Sequence, residues 1–379
     1  MTALDQYRAT LETTLAAIRD AGLFRQMRLP RGIDLVSNDY LGLADHPYLA
    51  ACMQAALAEA PVGSGGSRLL RGHHAVFDRI EERLAAFSGA ETALLFGSGY
   101  AANIGLMQAI VTPGDLGLSD ERNHASLIDG IRLTRARMTI YPHQDLDAVR
   151  AALRRPGAGR AVIVTESVFS MDGDLTPLDD LVLLAEESGA VVIVDEAHAT
   201  GLYGARGSGR VEELGLRDRV LATMHTGGKA LGSGGAWVAG PAVLREVLVN
   251  RARTFIFSTA PLPVLAAALG AGLDLVAREP ERRSEVRRKA ALLRAALAEA
   301  DVAAPGASQI VPVIVGSNDA ALALQDDLSS AGFDVRAVRP PSVPAGSARL
   351  RVTVRYPVAD TDLRRFAAET GRLLHSQAV

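Results

Sequence analysis

Two uninterrupted apolar runs constrain the fold of this chain more than any other feature. AVIVT (Ala161–Thr165) and VVIVD (Val191–Asp195) carry no charge before the final aspartate. Strands that read this way are buried on both faces of a parallel sheet. Between them, Pro177-LDDLVLLAEESG-Ala190 has helical periodicity and closes at Gly189, so the segment predicts a βαβ crossover of about 30 residues. Runs at Ala93–Phe96 and Ala236–Ala239 extend the pattern. The fold class is α/β with a large, mainly parallel sheet. After Pro280 the texture changes to a long helix, the strand SQIVPVIVG, a helix and the strand ARLRVTV. That predicts an N-terminal helix and arm over 1–45, a large α/β domain over 46–280 and a smaller α+β domain over 281–379.

Composition excludes several classes. The 379 residues are ample for a sizeable core. A net charge of −3 with only 4% aromatic residues argues against a nucleic-acid partner. Cys52 is the only cysteine, which excludes an internal disulfide and a multi-cysteine metal site; no metal is expected. No apolar run approaches the roughly 18 residues of a membrane span. MTALDQYRATLETTLAAIRDAG reads as an amphipathic helix with Leu11, Leu15 and Ile18 on one face, not as a signal peptide. A soluble, cytoplasmic protein is expected.

Lysine usage is sharper. Of the 40 basic residues only Lys229 and Lys289 are lysine. Lys289, in ERRSEVRRKAALLRAALAEA, reads as one more solvated cation on a charged helix. Lys229, in HTGGKALGSGGAWV, is flanked by glycines and apolar residues. Arginine keeps its proton, whereas lysine can be driven to the neutral amine by burial or a nearby cation. Lys229 is therefore a candidate nucleophilic amine, or alternatively a phosphate-binding lysine in a glycine-rich loop.

Two further strings need the same weighing. Asp195-Glu196-Ala197-His198 spells the DEAH box of a helicase, but no G-x-x-x-x-G-K-[ST] loop precedes it, so NTP hydrolysis is rejected. Gly97-Ser98-Gly99-Tyr100-Ala101-Ala102 after ALLF half-matches a dinucleotide fingerprint. It supports a glycine turn opening a helix, whose free N–H groups favour a phosphate, or else a plain strand-to-helix turn. A phosphate cradle, an acid at a strand end, a histidine and a lysine in a glycine loop together meet the needs of pyridoxal 5′-phosphate (PLP), whose ring acts as an electron sink.

Here the sequence resembles the α-oxoamine synthases, PLP enzymes of the aspartate-aminotransferase fold (fold type I). The likeness rests on SNDYLG (Ser37–Gly42), GSGGSR (Gly63–Arg68), SGYAAN (Ser98–Asn103), ESVFSMDGD (Glu166–Asp174), DEAHATG (Asp195–Gly201), TGGK (Thr226–Lys229) and FSTAPLP (Phe257–Pro263). The resemblance implies that Lys229 forms the Schiff base and Asp195 faces the pyridine nitrogen. It implies that His198 bonds the ring 3′-oxygen and His124 stacks on the ring; alone, His124 would read as a helix-start residue. Gly99 and Tyr100 would contact cofactor or substrate, with Ser170 and Thr226 on the ring or phosphate side. Ser258 and Thr259 would reach the phosphate in a neighbouring subunit, which implies a homodimer with shared sites.

Asn38, His124 and Arg351 would meet the substrate, Arg351 gripping the amino-acid carboxylate. On ARLRVTV, Arg349, Arg351 and Thr353 share one face, and Arg349 reads as a surface or supporting residue. Arg25 and Ser342 match acyl-substrate residues, with Arg28 nearly as good a candidate as Arg25. VRPPSVPAGSARLRVTV (Val338–Val354) points to the branch that joins L-alanine to a pimeloyl thioester, on coenzyme A or acyl carrier protein, in biotin biosynthesis. Another α-oxoamine synthase using glycine or serine with a different acyl-CoA shares these residues. Outside the class stands a cofactor-free phosphate- or dinucleotide-binding protein. Two departures are visible: Phe77 stands where many relatives have histidine, and Gly227-Gly228 where a bulkier residue followed by a serine or glycine is usual.

Overall fold

The computed structural model describes residues 1–154 and 159–376. Its main sheet has seven strands: β1 (Thr92–Phe96), β2 (Leu116–Asp120), β3 (Arg137–Tyr141), β4 (Ala161–Glu166), β5 (Val191–Asp195), β6 (Ala222–Thr226) and β7 (Ala236–Gly240). Their spatial order is β1-β7-β6-β5-β4-β2-β3. β7 is antiparallel to β1 and to β6, and the other neighbours are parallel. β1 therefore runs the same way as β6, and the carboxyl ends of β1, β2, β4, β5 and β6 open on one edge. Ligands in open α/β sheets bind along such an edge.

The two apolar runs lie side by side, with Val164 opposite Ile193 and Glu166 opposite Asp195. Val192, Ile193 and Val194 are at most 1% exposed, and burial of each contributes about 1.5–3 kcal/mol. The crossover helix is Leu178–Glu187, which buries Leu178, Leu181, Val182, Leu184 and Ala185. It closes just before Gly189, at φ +66. Sequence reading did not find β2, β3 or β6. LGLSD and ATMHT are buried yet end in polar residues, and RMTIY is a half-exposed edge strand.

Beyond the helix Glu281–Glu299, strands β8 (Ile310–Gly316), β9 (Ala337–Val338) and β10 (Ala348–Thr353) form an antiparallel sheet in the order β9-β10-β8. Ile33–Asp34 pairs in parallel with Phe333–Asp334, so the N-terminal arm joins this C-terminal layer. The first helix, Ala3–Asp20, starts in a Thr2–Asp5 capping box. None of its residues is buried within the protomer, and its apolar stripe of Leu4, Tyr7, Leu11, Leu15 and Ile18 is exposed. Lys289 corrects an expectation. Instead of being freely solvated, it is half-buried, with Nζ donating to the Tyr356 carbonyl at 2.6 Å over that residue's ring.

No helix among the described residues is long and apolar enough to cross a membrane. Nor is there, among them, a cluster of three or more His, Cys, Asp or Glu able to hold a metal ion.

Candidate active site

Lys229 lies just past β6, in a loop set by close backbone approach. A Cβ on Gly227 would lie 2.5 Å from the Gly234 carbonyl oxygen and closer still to Leu269, so only glycine fits there. Gly228 has room for a side chain. The Lys229 Nζ sits 2.8 Å from His198 Nε2. Burial lowers the amine to about 8; the carboxylates of Asp195 and Glu166 oppose that shift, and the Arg351 cation adds to it. A neutral amine is thus within reach near neutral pH.

His198 Nδ1 lies 2.5 Å from Tyr40 Oη, and Tyr40 donates to Asn38 Oδ1 at 3.2 Å. Burial, with the Lys229 and Arg351 cations, holds His198 well below its ordinary range, so the imidazole is neutral. Neutral His198 thus bridges Tyr40 Oη at Nδ1 and Lys229 Nζ at Nε2. Gln309 Nε2 fixes the His198 backbone through its carbonyl at 2.7 Å.

Asp195 ends β5 with its carboxylate anchored. Oδ2 accepts from Asn103 Nδ2 at 2.8 Å, and Oδ1 accepts from the Ala197 N–H at 2.9 Å. The Asn103 amide also donates to Ser126 Oγ at 2.9 Å, while its buried Oδ1 has no partner among the described residues. Ser126 Oγ lies 2.8 Å from His124 Nδ1. His124 is the N-cap of the helix Ala125–Thr134, and its N–H donates to Glu166 Oε1 at 2.6 Å. One network therefore ties Asp195 to His124 across the sheet edge. Burial keeps His124 below its ordinary value. Burial and the charge of Asp195 push Glu166 up to about 8.

The remaining predicted residues frame this centre. Ser98 caps the helix Gly99–Ile110 by accepting from the Ala101 N–H, leaving the Gly99 and Tyr100 amides at the helix start. The Tyr100 ring stands edge-on to His124 at 6.4 Å, and its hydroxyl donates to Asp129 at 2.5 Å. Thr226 Oγ1 donates to the Gly235 carbonyl and accepts from the Gly228 N–H. Arg351 Nε donates to the Ser170 carbonyl and Nη1 to Thr353 Oγ1. Its charge is felt by Tyr40, His198 and Lys229. Among the described residues no carboxylate pairs with it, whereas Arg349 is buried on Asp172.

Arg25, Arg28 and Ser342 line a groove of about 520 Å³ with Phe24, Met171 and Arg339. Met171 directly follows Ser170, whose carbonyl accepts from Arg351. Arg25 donates to the Pro340 carbonyl and Arg28 pairs with Asp326; the groove accommodates both. Ser258 and Thr259 are exposed on the protomer surface. Phe77 is fully buried against Arg68 and His74, a packing role that explains an apolar ring there. Sequence reasoning missed Tyr40, Asn103 and Glu166 as site groups. Each stands inside a matched string, and a polar residue in an otherwise apolar strand end or helix face was the available signal.

The donor set fits PLP. An acid fixed at a strand end suits a protonated ring nitrogen, and a lowered amine suits an aldehyde. A helix start with free amides beside Thr226 suits a phosphate. The chain belongs to the aminotransferase class I and II family, whose description matches residues 30–369, and it is a PLP-dependent enzyme.

Within that family it is 45% identical to the 8-amino-7-oxononanoate synthase of Geobacter sulfurreducens, across 95% of this chain and 96% of that one. It is equally identical to the synthase of the same name from a Mycobacterium species, across 91% of each chain. The fold superposes on serine palmitoyltransferase from S. paucimobilis, solved with PLP and myriocin, at a TM-score of 0.91, 25% identity and full coverage of both chains. It matches the 8-amino-7-oxononanoate synthase of Francisella tularensis at 0.80, with 25% identity over 92% of this chain and 99% of that one. The resemblance to α-oxoamine synthases is thus borne out.

Proposed function

We propose that this enzyme condenses L-alanine with a pimeloyl thioester, releasing carbon dioxide and the free thiol and leaving 8-amino-7-oxononanoate. The observation that carries the substrate assignment is Arg351: a guanidinium in the site, free of any carboxylate partner among the described residues, beside the lowered amine of Lys229. A planar fork with no anion of its own is suited to a substrate carboxylate.

PLP would be held by Lys229, Asp195, His198, His124, Thr226 and the amides of Gly99 and Tyr100; when bound it supplies an electron sink for charge at the amino acid's Cα. Arg351 fixes the alanine carboxylate and so selects which Cα bond is activated. The Lys229 amine removes the Cα proton and returns one after carboxylate loss. Neutral His198, held at Nδ1 by Tyr40, places Nε2 against that amine. The arginine-lined groove ending at Met171 is the route for the acyl thioester, with Arg25 or Arg28 and Ser342 along it. The exposed Ser258, Thr259 and apolar stripe of Ala3–Asp20 support a homodimer with shared sites; sedimentation should give a mass near twice 39.9 kDa.

The test is to supply the purified enzyme with alanine, glycine or serine and with pimeloyl-CoA or pimeloyl carrier protein. Product mass and free thiol should appear with alanine and a pimeloyl thioester. Turnover with glycine or serine in place of alanine would favour a different α-oxoamine synthase.

Arg351→Lys keeps charge but loses the fork. Cofactor loading should survive while alanine affinity falls by roughly tenfold, about 1.4 kcal/mol. Arg349→Lys should matter less for alanine, because Asp172 already neutralises Arg349. A larger loss in the Arg349 variant would show that the wrong arginine was chosen. No change in either would remove the C-terminal sheet from carboxylate binding.

A further inference from the structure

His143 lies two residues past β3, outside the set of groups placed in the site. Its Nδ1 is 2.9 Å from Asp120 Oδ1, and its Nε2 is bonded to Asp174 Oδ2. Donating from both ring nitrogens requires the imidazolium. Among the described residues no other cation pairs with Asp120 or Asp174.

Each carboxylate organises a different site loop. Asp120 ends β2, where Oδ1 also accepts from the Arg122 N–H and Oδ2 from the Gln144 N–H, both at 2.9 Å. That shapes the turn leading to His124. Asp174 closes the hairpin in which the Phe169 N–H donates to the Asp174 carbonyl and Val168 bridges Leu175. The hairpin carries Ser170, whose carbonyl accepts from Arg351. Gln144 adopts φ +57, a left-handed conformation rare outside glycine. It is held there by the Asp120 bond and by Nε2 donating to Asp174 Oδ2 and the Leu175 carbonyl at 3.1 Å.

We propose that His143 is a positioning residue: as a cation pinned between Asp120 and Asp174, it holds together the two loops that present His124 and Ser170 to the reaction. The inference rests on the reading of those two residues as site groups.

The groups facing His143 are accounted for. Phe169 packs edge-on at 4.5 Å. Tyr141 ends β3 itself, Thr165 lies on β4 beyond β2, and Asp145 caps the next helix through the Ala148 N–H. Asp172, nearby on the hairpin, is neutralised by Arg122 and Arg349. Burial opposes the imidazolium, but the two carboxylates outweigh it and raise His143 to about 9. Because the folded value stands above the ordinary 6.5, the clamp is complete below that pH and is lost as pH rises through about 9.

The experiment uses the cofactor-loaded enzyme and reads two quantities. One is hydrogen-exchange protection of segments 120–124 and 168–176; the other is the alanine dissociation constant from the cofactor's visible absorbance. In the unmodified enzyme, protection of both segments should fall as pH passes about 9. His143→Gln should lack that protection already at neutral pH and bind alanine about tenfold more weakly, since small misplacements near a reacting centre cost ten- to a hundredfold. His143→Gln with Asp174→Asn should regain part of the affinity, because one of the two carboxylates left without a cation is removed. A merely structural histidine predicts neither the alkaline transition nor that rescue.

If His143→Gln matches the unmodified enzyme in both quantities across this range, or if the unmodified enzyme shows no transition, the clamp is overturned. Should His143→Gln not fold, Asp174→Asn alone loosens one arm: lost protection confined to 168–176 supports the clamp, and no loss overturns it. Should the unmodified enzyme fail to bind alanine, the functional reading falls, while the exchange data still judge the clamp.

Discussion

Lys229→Ala should abolish turnover, by about 10³-fold or more, equivalent to roughly 4 kcal/mol of transition-state stabilisation, while the fold is retained. The side chain reaches the site from a loop whose shape is set by Gly227 and Gly235, not by the lysine. Lys229→Arg should be as inactive as the alanine variant. It restores a cation of similar reach, but arginine holds its proton where burial lowers the lysine to about 8. Activity in the arginine variant would show that charge alone, and not a deprotonated nitrogen, is what the position supplies. Borohydride reduction of the loaded enzyme followed by peptide mapping should place the pyridoxyl mass on Lys229. Lys289 is the competing site, and its Nζ is committed to the Tyr356 carbonyl in a different layer. A pyridoxyl mass on Lys289, or on neither lysine, would sink the assignment.

The sheet was legible where a buried strand is also apolar throughout. AVIVT and VVIVD read as unbroken runs because almost all of their residues are buried, and both strands stand where expected. β2 and β6 are just as buried but were not legible. Their carboxyl ends carry Ser119, Asp120, His225 and Thr226, buried polar residues that break the apolar pattern yet are satisfied by hydrogen bonds no local window displays. Lys229 was legible because an arginine-built chain makes each lysine conspicuous. Asp195 and His198 were legible because an acid directly after an apolar run is unusual. Tyr40 and Asn103 were not, since their importance lies in bonds to residues 158 and 92 positions away. His143 shows the same limit: in sequence it is a loop histidine, and only the fold places it between two carboxylates.

The first helix marks another boundary. Its periodicity correctly announced an amphipathic helix, but amphipathicity says that a face must be covered and not by what. In this chain the stripe from Leu4 to Ile18 is exposed, and a second copy of the chain is the cover proposed for it. The same holds for Ser258 and Thr259, whose expected partner is a phosphate in a neighbouring subunit.

Asp195→Asn should leave a folded protein that still loads cofactor but loses about 10²–10³-fold in exchange of alanine's α-proton, the scale seen when one preorganised electrostatic contact is removed. Folding should survive because the surrounding bonds can be re-formed. Asn103 Oδ1 is buried without a partner among the described residues, so rotating that amide offers an acceptor to the new side-chain N–H. Ser126 can donate where it now accepts. The chemistry should not survive, because a neutral amide no longer stabilises positive charge on the group it faces, and each pKa unit so lost is worth about 1.4 kcal/mol. Two neighbours sharpen the prediction. Glu166, held up near 8 by burial and by Asp195, should ionise more readily once that charge is gone. Lys229, whose amine Asp195 helps keep protonated, should fall further below 8. The variant would thus hold more of Lys229 as the neutral amine and still be slow, separating availability of the base from stabilisation of the charge that proton removal creates. Proton exchange of alanine in deuterium oxide, followed by NMR, decides the matter: an unchanged rate in the asparagine variant would mean that Asp195 only anchors Asn103 and the Ala197 turn, and that the electron sink is maintained by some other group.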